Sequence, residues 1–218
     1  MASYSSDDGY DEAEARAPLL PASWTEALRR RAAELIGLGL LAVALALAAA
    51  LWSHHPADPS FFNATSAAPR NWLGLTGATL SDPLMRTLGL AAWGLPLAAA
   101  VWGLRLILHL GEARVVPRLV LIPVAVPLAA AALSAHVPPE GWGHPYGLGG
   151  LVGDVVAREL YGLAPWGLGF SALVLSVSLT LAALVVGGLA AGLDRVETGA
   201  LLRWMAEGLG WAGGAAGR

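Results

Sequence analysis

The chain has 218 residues, of which 56% are hydrophobic and only 13% charged, with a mean hydropathy of +0.59. Soluble domains carry about 45–50% apolar and about 25% charged residues, so this composition argues against a soluble globular fold and for a membrane as solvent, while the net charge of −3 excludes nothing. There is no cysteine, and all 13 basic residues are arginine, which excludes disulfides, thiolate metal sites, lysine Schiff bases and a Walker A loop with its phosphate-binding lysine.

Residues 1–34 form a polar head. Ser5 to Glu14 is too polar to order itself, and Pro18 and Pro21 interrupt the stretch after it. Ser23 reads as a helix N-cap with Glu26 three residues on, opening a basic helix through Arg29, Arg30 and Arg31. The first uncharged run, 35–52, is close to the ~20 residues that cross a ~30 Å hydrocarbon layer. It is longer than the core of a removable signal peptide, and a long polar segment precedes it. Residues 53–83 read as a loop, opened by Ser53-His54-His55-Pro56-Ala57-Asp58-Pro59-Ser60 and closed by Asp82-Pro83. A second run covers 84–108, with a kink expected at Pro96. After a short basic turn comes a third, 119–137, containing Pro123 and Pro127. Residues 138–163 are a second Gly/Pro-rich loop, in which Leu151 to Leu160 suits a short amphipathic helix at the interface. The fourth run is 164–193, and 194–218 reads as an amphipathic tail. The expected architecture is an all-α integral membrane protein: a head at 1–34, a four-helix membrane domain at 35–193 and a tail.

Arginine asymmetry orients it. With the N-terminus inside, Arg16, Arg29, Arg30, Arg31, Arg105, Arg114, Arg118, Arg195, Arg203 and Arg218 fall on the inner side. Only Arg70, Arg86 and Arg158 fall on the outer side. Both ends are therefore expected in the cytoplasm. Trp52, Trp72, Trp142, Tyr146, Tyr161 and Trp166 sit at the outer boundary, as an aromatic belt should.

No metal or cofactor site is expected. His54, His55 and Asp58 are close in sequence, but further ligands are not evident, and a solvated loop is the plainer reading. The runs hold almost no ionisable residue at mid-depth, which weakens a transporter or channel reading. Gly169-Phe170-Ser171 loosely matches an intramembrane serine protease, which would need His136 to reach Ser171. Small residues four apart are the better signal: Ala42, Ala46 and Ala50 in run one, and Ala172, Ser176 and Thr180, then Gly187, Gly188 and Gly192, in run four. Such stripes let helix backbones approach, within one chain or between chains. In the outer loops Phe61, Phe62 and Trp72 are candidates for docking a partner.

Several ordered motifs carry a family resemblance. The Ser53–Ser60 stretch fits a Ser-x-x-Pro-x-Asp-Pro-Ser pattern after the first helix. Asn71-Trp72-Leu73-Gly74 with Gly77-Ala78 fits Asn-x-x-Gly-x-x-Gly-Ala. Trp102-Gly103-Leu104-Arg105 ends the second helix, as in alphaproteobacterial members. Gly147-Leu148-Gly149-Gly150-Leu151-Val152-Gly153-Asp154 fits Gly-Gly-x-x-Gly before the fourth. Over about residues 28–215 the chain resembles the N-terminal four-helix membrane domain of the FtsK/SpoIIIE family of bacterial cell-division DNA translocases. The resemblance implies a multi-pass anchor in the inner membrane at the division septum. It further implies divisome membrane proteins as partners and self-association, since the family's motor is a hexamer. The Walker motifs and DNA-reading domain of that motor do not occur in these residues, so neither ATP hydrolysis nor direct nucleic-acid binding is expected of them. The chain then reads as a fragment, a split reading frame or a membrane module acting alone.

Overall fold

The computed structural model describes residues 21–110, 118–163 and 168–193, and among these there are helices and no strands. The tail at 194–218 and most of the polar head lie outside them. Helix α1 spans Ala22–Trp52. It starts at Pro21 with no side-chain cap, so Ser23 and Glu26 do not form the expected capping box, and Glu26 instead pairs with Arg30 one turn on. Pro21 carries the start, because proline cannot donate into a preceding turn.

Helix α2 covers Gly74–Leu88, a 3-10 segment Gly89–Trp93, and helix α3 Gly94–Ile107. The second apolar stretch is therefore helical about ten residues earlier than its hydropathy indicates, with Pro83 inside α2 rather than ending a loop. Its irregularity falls at Gly89, whose φ is +57, before Pro96. Pro96 sits in the first turn of α3 and cannot donate to the Ala92 carbonyl, so the tighter 3-10 turns lie just upstream.

Helix α4 covers Ile122–Ser134, α5 Gly150–Leu163 and α6 Leu168–Ala190. Among the described residues three helical stretches are long and apolar enough to cross a membrane: Ser23–Trp52, Gly74–Ile107 and Leu173–Ala190. The third expected run is shorter than its apolar sequence. α4 has 13 residues, or about 20 Å. Val120 and Leu121 make a turn between the helical residues 118–119 and α4, with i to i+3 bonds from Leu121 N to Arg118 O and from Val124 N to Leu121 O.

The three long stretches and the shorter α4 run alternately up and down in the bundle. Gly37 of α1 faces Gly103 of α3, and Trp52 stacks edge-on with Trp93 at 6.3 Å. Gly94 and Ala91 meet Val126 of α4. His136 just beyond α4 meets Ser176 of α6, while Arg118 meets Gly192 at the other end. Most of the buried apolar residues in the bundle are small: Ala44, Ala50, Ala91, Ala92, Ala125, Ala130, Ala131 and Ala190 are buried, with Leu51, Met85, Trp102 and Val126 among the few larger ones. Large side chains such as Leu35, Leu45, Leu97, Leu184 and Val185 point outward. Apolar outside and small inside is how helices pack in lipid, where the surroundings are as oily as leucine.

Candidate functional site

The polar residues that are buried gather at the Trp52 end: Asp58, Asn71, Ser81 and Asp82. They fold residues 53–73 onto the tops of α1 and α2. The Asp58 carboxylate accepts from the backbone N–H of Arg70 and of Asn71, each at 2.9 Å, and closes the loop on itself. Asn71 Nδ2 donates to the last-turn carbonyl of Ala50 at 2.8 Å, and its Oδ1 accepts from Leu73 N. Ser53 Oγ donates to Ala49 O and accepts from Trp72 N. Asp82 receives the Ser60 hydroxyl on one oxygen and Arg86 Nε on the other. Gly77 must be glycine here, because a Cβ would run into Asn71 Oδ1. Each polar position of the Ser53–Ser60 and Asn71–Ala78 motifs thus has a job: it satisfies a helix end or a turn that would otherwise be buried unpaired.

The second loop docks on the first. Gly89, freed by its positive φ, exposes the chain so that Leu90 N donates to Leu148 O at 2.8 Å. Gly149 and Gly153 lie against the Ala130 carbonyl, where neither tolerates a side chain. Asp154 accepts from Ser134 Oγ at 2.6 Å and from Gly147 N at 3.0 Å, tying loop, α5 and α4 together. The His144 ring then stacks on His54 at 5.8 Å and on Tyr146 at 5.2 Å. His54 Nδ1 lies 3.2 Å from Ser81 Oγ, while its Nε2 is buried without a hydrogen-bond partner. Burial pushes the His54 pKa down, and it does the same to His144, with Arg86 adding to the effect there. Burial, and then Asp82, raises the Tyr146 hydroxyl to about 12.

On this scaffold Phe61, Phe62 and Trp72 stand out, 82%, 61% and 71% exposed, with the Arg86 guanidinium 5.7 Å from the Phe62 ring. The small residues distribute differently. Ala42 and Ala46 are exposed on α1 and Ala50 is buried. The face of α1 that meets α3 runs instead through Gly37 and Leu41, and Leu51 packs with Met85 and Ala92. Thr180 is exposed, Ser176 lies 3.3 Å from His136 Nε2, and the side chain of Ala172 lies outside the described residues. Gly187 and Gly188 line a groove between α3, α4 and α6. Gly192, with φ +80, ends α6: its N–H bonds Leu189 O and that of Leu193 bonds Gly188 O, a Schellman turn.

Among the described residues no three of His, Asp and Glu are placed to hold a metal. Asp58 is taken up by backbone amides, and His55 lies against Arg70 and Ala57 N. The side chain of Ser171, the serine of the protease reading, lies outside the described residues; His136 is occupied with Ser176 and the Ala132 carbonyl. Sequence reasoning passed over Trp102, which is 1% exposed and donates its indole N–H to Ala190 O at 2.9 Å, satisfying the end of α6. Its place beside Gly103 and Arg105 in the motif was the available signal.

A family model described as the 4TM region of DNA translocase FtsK/SpoIIIE matches residues 29–216. The chain is 42% identical to DNA translocase FtsK of Bradyrhizobium diazoefficiens over 139 residues, 64% of this chain and 17% of that protein. It is 34% identical to the Agrobacterium fabrum protein over 178 residues, 77% of this chain and 20% of the relative. With the Caulobacter vibrioides protein the figures are 30% over 183 residues, 82% and 22%. The chain thus spans about a fifth of the length of these curated relatives. No solved structure matches it. With apolar helices packed through small residues and the polar motifs spent on loop closure, this is an integral membrane protein that belongs to the FtsK/SpoIIIE 4TM family.

Proposed function

We propose that the chain is the membrane anchor and septum-targeting module of an FtsK-like DNA translocase, working in cell division and chromosome segregation, with no motor chemistry in these residues. It crosses the inner membrane four times, with both ends in the cytoplasm. Convergence of Arg29, Arg30, Arg31, Arg105 and Arg118 on one end of the bundle supports that orientation, because arginine is retained on the cytoplasmic side. Self-association, as the family's hexameric motor implies, has a surface in exposed Ala42 and Ala46 on α1, and divisome membrane proteins are the other partners.

One observation carries the targeting role: the first outer loop is stitched down by Asp58, Asn71 and Asp82, yet it presents Phe61, Phe62 and Trp72 to the outside. A rigid loop loses little entropy on docking, and exposed aromatics are the residues that dominate interfaces. A transporter or channel would need a polar path. Among the described residues the side chains of the buried polar residues Asp58, Asn71, Ser81 and Asp82 sit at the Trp52 end, and the other buried side chains are apolar, mostly alanines with Trp102, Met85 and Val126 among them.

The test is imaging of a fluorescent fusion of residues 1–218 in dividing cells. A midcell band that is lost when Phe61, Phe62 and Trp72 are changed together to alanine is the expected result. Uniform membrane fluorescence of the unaltered fusion would reject targeting and leave a generic anchor.

A further inference from the structure

The stretch Gly74–Ile107 is a run of 34 helical residues, which would be about 50 Å long if straight. A hydrocarbon layer is only about 30 Å thick. The surplus lies in α2, because the chain changes direction between α2 and α3. Asn71 Nδ2 is 2.8 Å from the Ala50 carbonyl and 3.4 Å from Ser81 Oγ, so Ser81 sits over the last turn of α1. His54 Nδ1 lies against the same hydroxyl. Ala92 belongs to one buried cluster with Leu51 and Met85. Ser81 and Ala92 are eleven residues apart, or about 16 Å in a straight helix, yet both meet the end of α1.

α2 therefore passes across that end, whereas α3 runs down the side of α1 to the contact between Gly37 and Gly103. The bend falls at Gly89, whose φ of +57 closes α2 and is followed by the 3-10 turns. From Gly89 to Ile107 the chain rises about 31 Å, which fills the layer without α2. The sides of α2 match such a position. Gly77, Ala78, Ser81, Asp82 and Met85 form its buried face. Leu80, Leu84 and Leu88 follow along one edge of that face at four-residue spacing. Leu80 is 47% exposed, and the other two pack on the cluster at Leu51. Thr79, Pro83 and Arg86 fall on the far side at about 100° per residue, and Arg86 pairs with Asp82. An ion pair and three threonines suit a membrane surface better than the middle of a bilayer.

We propose that α2 lies in the membrane surface at the Trp52 end, with its Leu80 edge seated in lipid at the boundary of headgroups and acyl chains, and that residues 89–107 alone make the second crossing. This is the outer leaflet in the proposed orientation. A helix with an apolar edge and a polar back settles in that plane, its apolar side ~5–10 Å deep. Trp52, exposed and edge-on to Trp93, marks the same level, since tryptophan collects at that boundary. The seat is independent of septal targeting, because it is read as depth in lipid rather than as position in the cell.

The test is spin labelling of the 218-residue protein, whose lack of cysteine makes each introduced one unique. The single variants Thr76→Cys, Thr79→Cys, Leu80→Cys and Thr87→Cys carry a nitroxide in vesicles of phosphatidylethanolamine and phosphatidylglycerol. Depth is read from relaxation by oxygen against relaxation by a nickel chelate. Thr76 and Thr87 face the same way, about three turns apart, and should read the same depth. Leu80→Cys should favour oxygen and its neighbour Thr79→Cys the nickel chelate. Leu97→Cys and Leu104→Cys, at exposed positions on α3, are the reference for a crossing segment and should differ by about 10 Å. The contrast between Thr79 and Leu80 stands by itself where a label at Thr87 disturbs Gly150, which lies against the Thr87 backbone. A Thr87 label about 16 Å deeper than one at Thr76 would overturn the proposal and make α2 part of the crossing. A Leu80 label as open to nickel as the Thr79 label would also overturn it, leaving the edge in water for a protein partner.

Discussion

Gly37 of α1 and Gly103 of α3 meet backbone to backbone: a Cβ on Gly37 would lie 2.6 Å from the Gly103 carbonyl, and one on Gly103 would lie 2.8 Å from that of Gly37. Neither distance is one that a real side chain tolerates. Alanine ordinarily improves a helix by about 1 kcal/mol over glycine, so the contact makes a sharp test beside Gly39, where an added Cβ meets nothing within 4 Å. Gly37→Ala should destabilise the bundle by about 1–3 kcal/mol through overpacking, and Gly39→Ala should be neutral or stabilising. Thermal unfolding in mild detergent reads both; equal behaviour of the two variants would remove Gly37 from the α1–α3 contact.

The end of α1 at Trp52 and the all-helical class were legible from hydropathy alone, because an uncharged run broken by Ser-His-His-Pro has one plain reading. The start of α2 was not. Gly74 to Pro83 contains Thr, Ser, Asp and Pro, which read as turn residues, and hydropathy hides the helical spacing of Gly77, Ala78, Ser81, Asp82 and Met85 that is buried. Gly37 was equally hidden, since 27 glycines offer no way to single out the one that crosses a partner. The site shows the same division. Phe61, Phe62 and Trp72 could be picked out as loop aromatics, but the contacts beneath them join residues 12 to 27 positions apart, such as Asp58 with Arg70 and His54 with Ser81. No local pattern encodes those pairings.

Asn71 holds the first loop to α1, and its two substitutions separate shape from chemistry. Asn71→Ala leaves the Ala50 carbonyl buried without its donor, at a cost of about 1–3 kcal/mol. Asn71→Asp keeps the shape and can still accept from Leu73 N, but it has no proton for Ala50 O. It also brings a carboxylate close to Asp58, whose oxygens already receive the Asn71 and Arg70 amides. Both variants should open residues 53–73 to limited proteolysis, N71D at least as much as N71A. A proteolysis pattern unchanged in N71D would show that packing against Gly77, rather than the bond to Ala50, fixes the loop.

The stacked pair His54 and His144 gives the two-loop surface a pH dependence whose sign follows from burial. Both imidazoles have pKa values below the ordinary 6.5, mainly because burial disfavours the charged ring. Asp82 and Asp58 pull the other way at His54, but burial outweighs them, while Arg86 reinforces the shift at both rings. The folded state therefore holds fewer protons than the unfolded state over the interval below 6.5. Above that value both states carry neutral rings, and the contribution of the pair to stability is complete. As pH falls through 6.5 toward the depressed folded values, the unfolded chain takes up protons that the folded one refuses, and stability declines. A cation forced onto His54 would also stand beside His144 with its Nε2 unpartnered. The melting temperature in mild detergent should thus drop between about pH 7.5 and about pH 5.5, with proteolysis at residues 53–73 rising in parallel. Replacing both rings by asparagine should flatten that slope, since the amide does not titrate. A slope that survives the double substitution would place its origin in other groups and leave the histidine pair as packing alone.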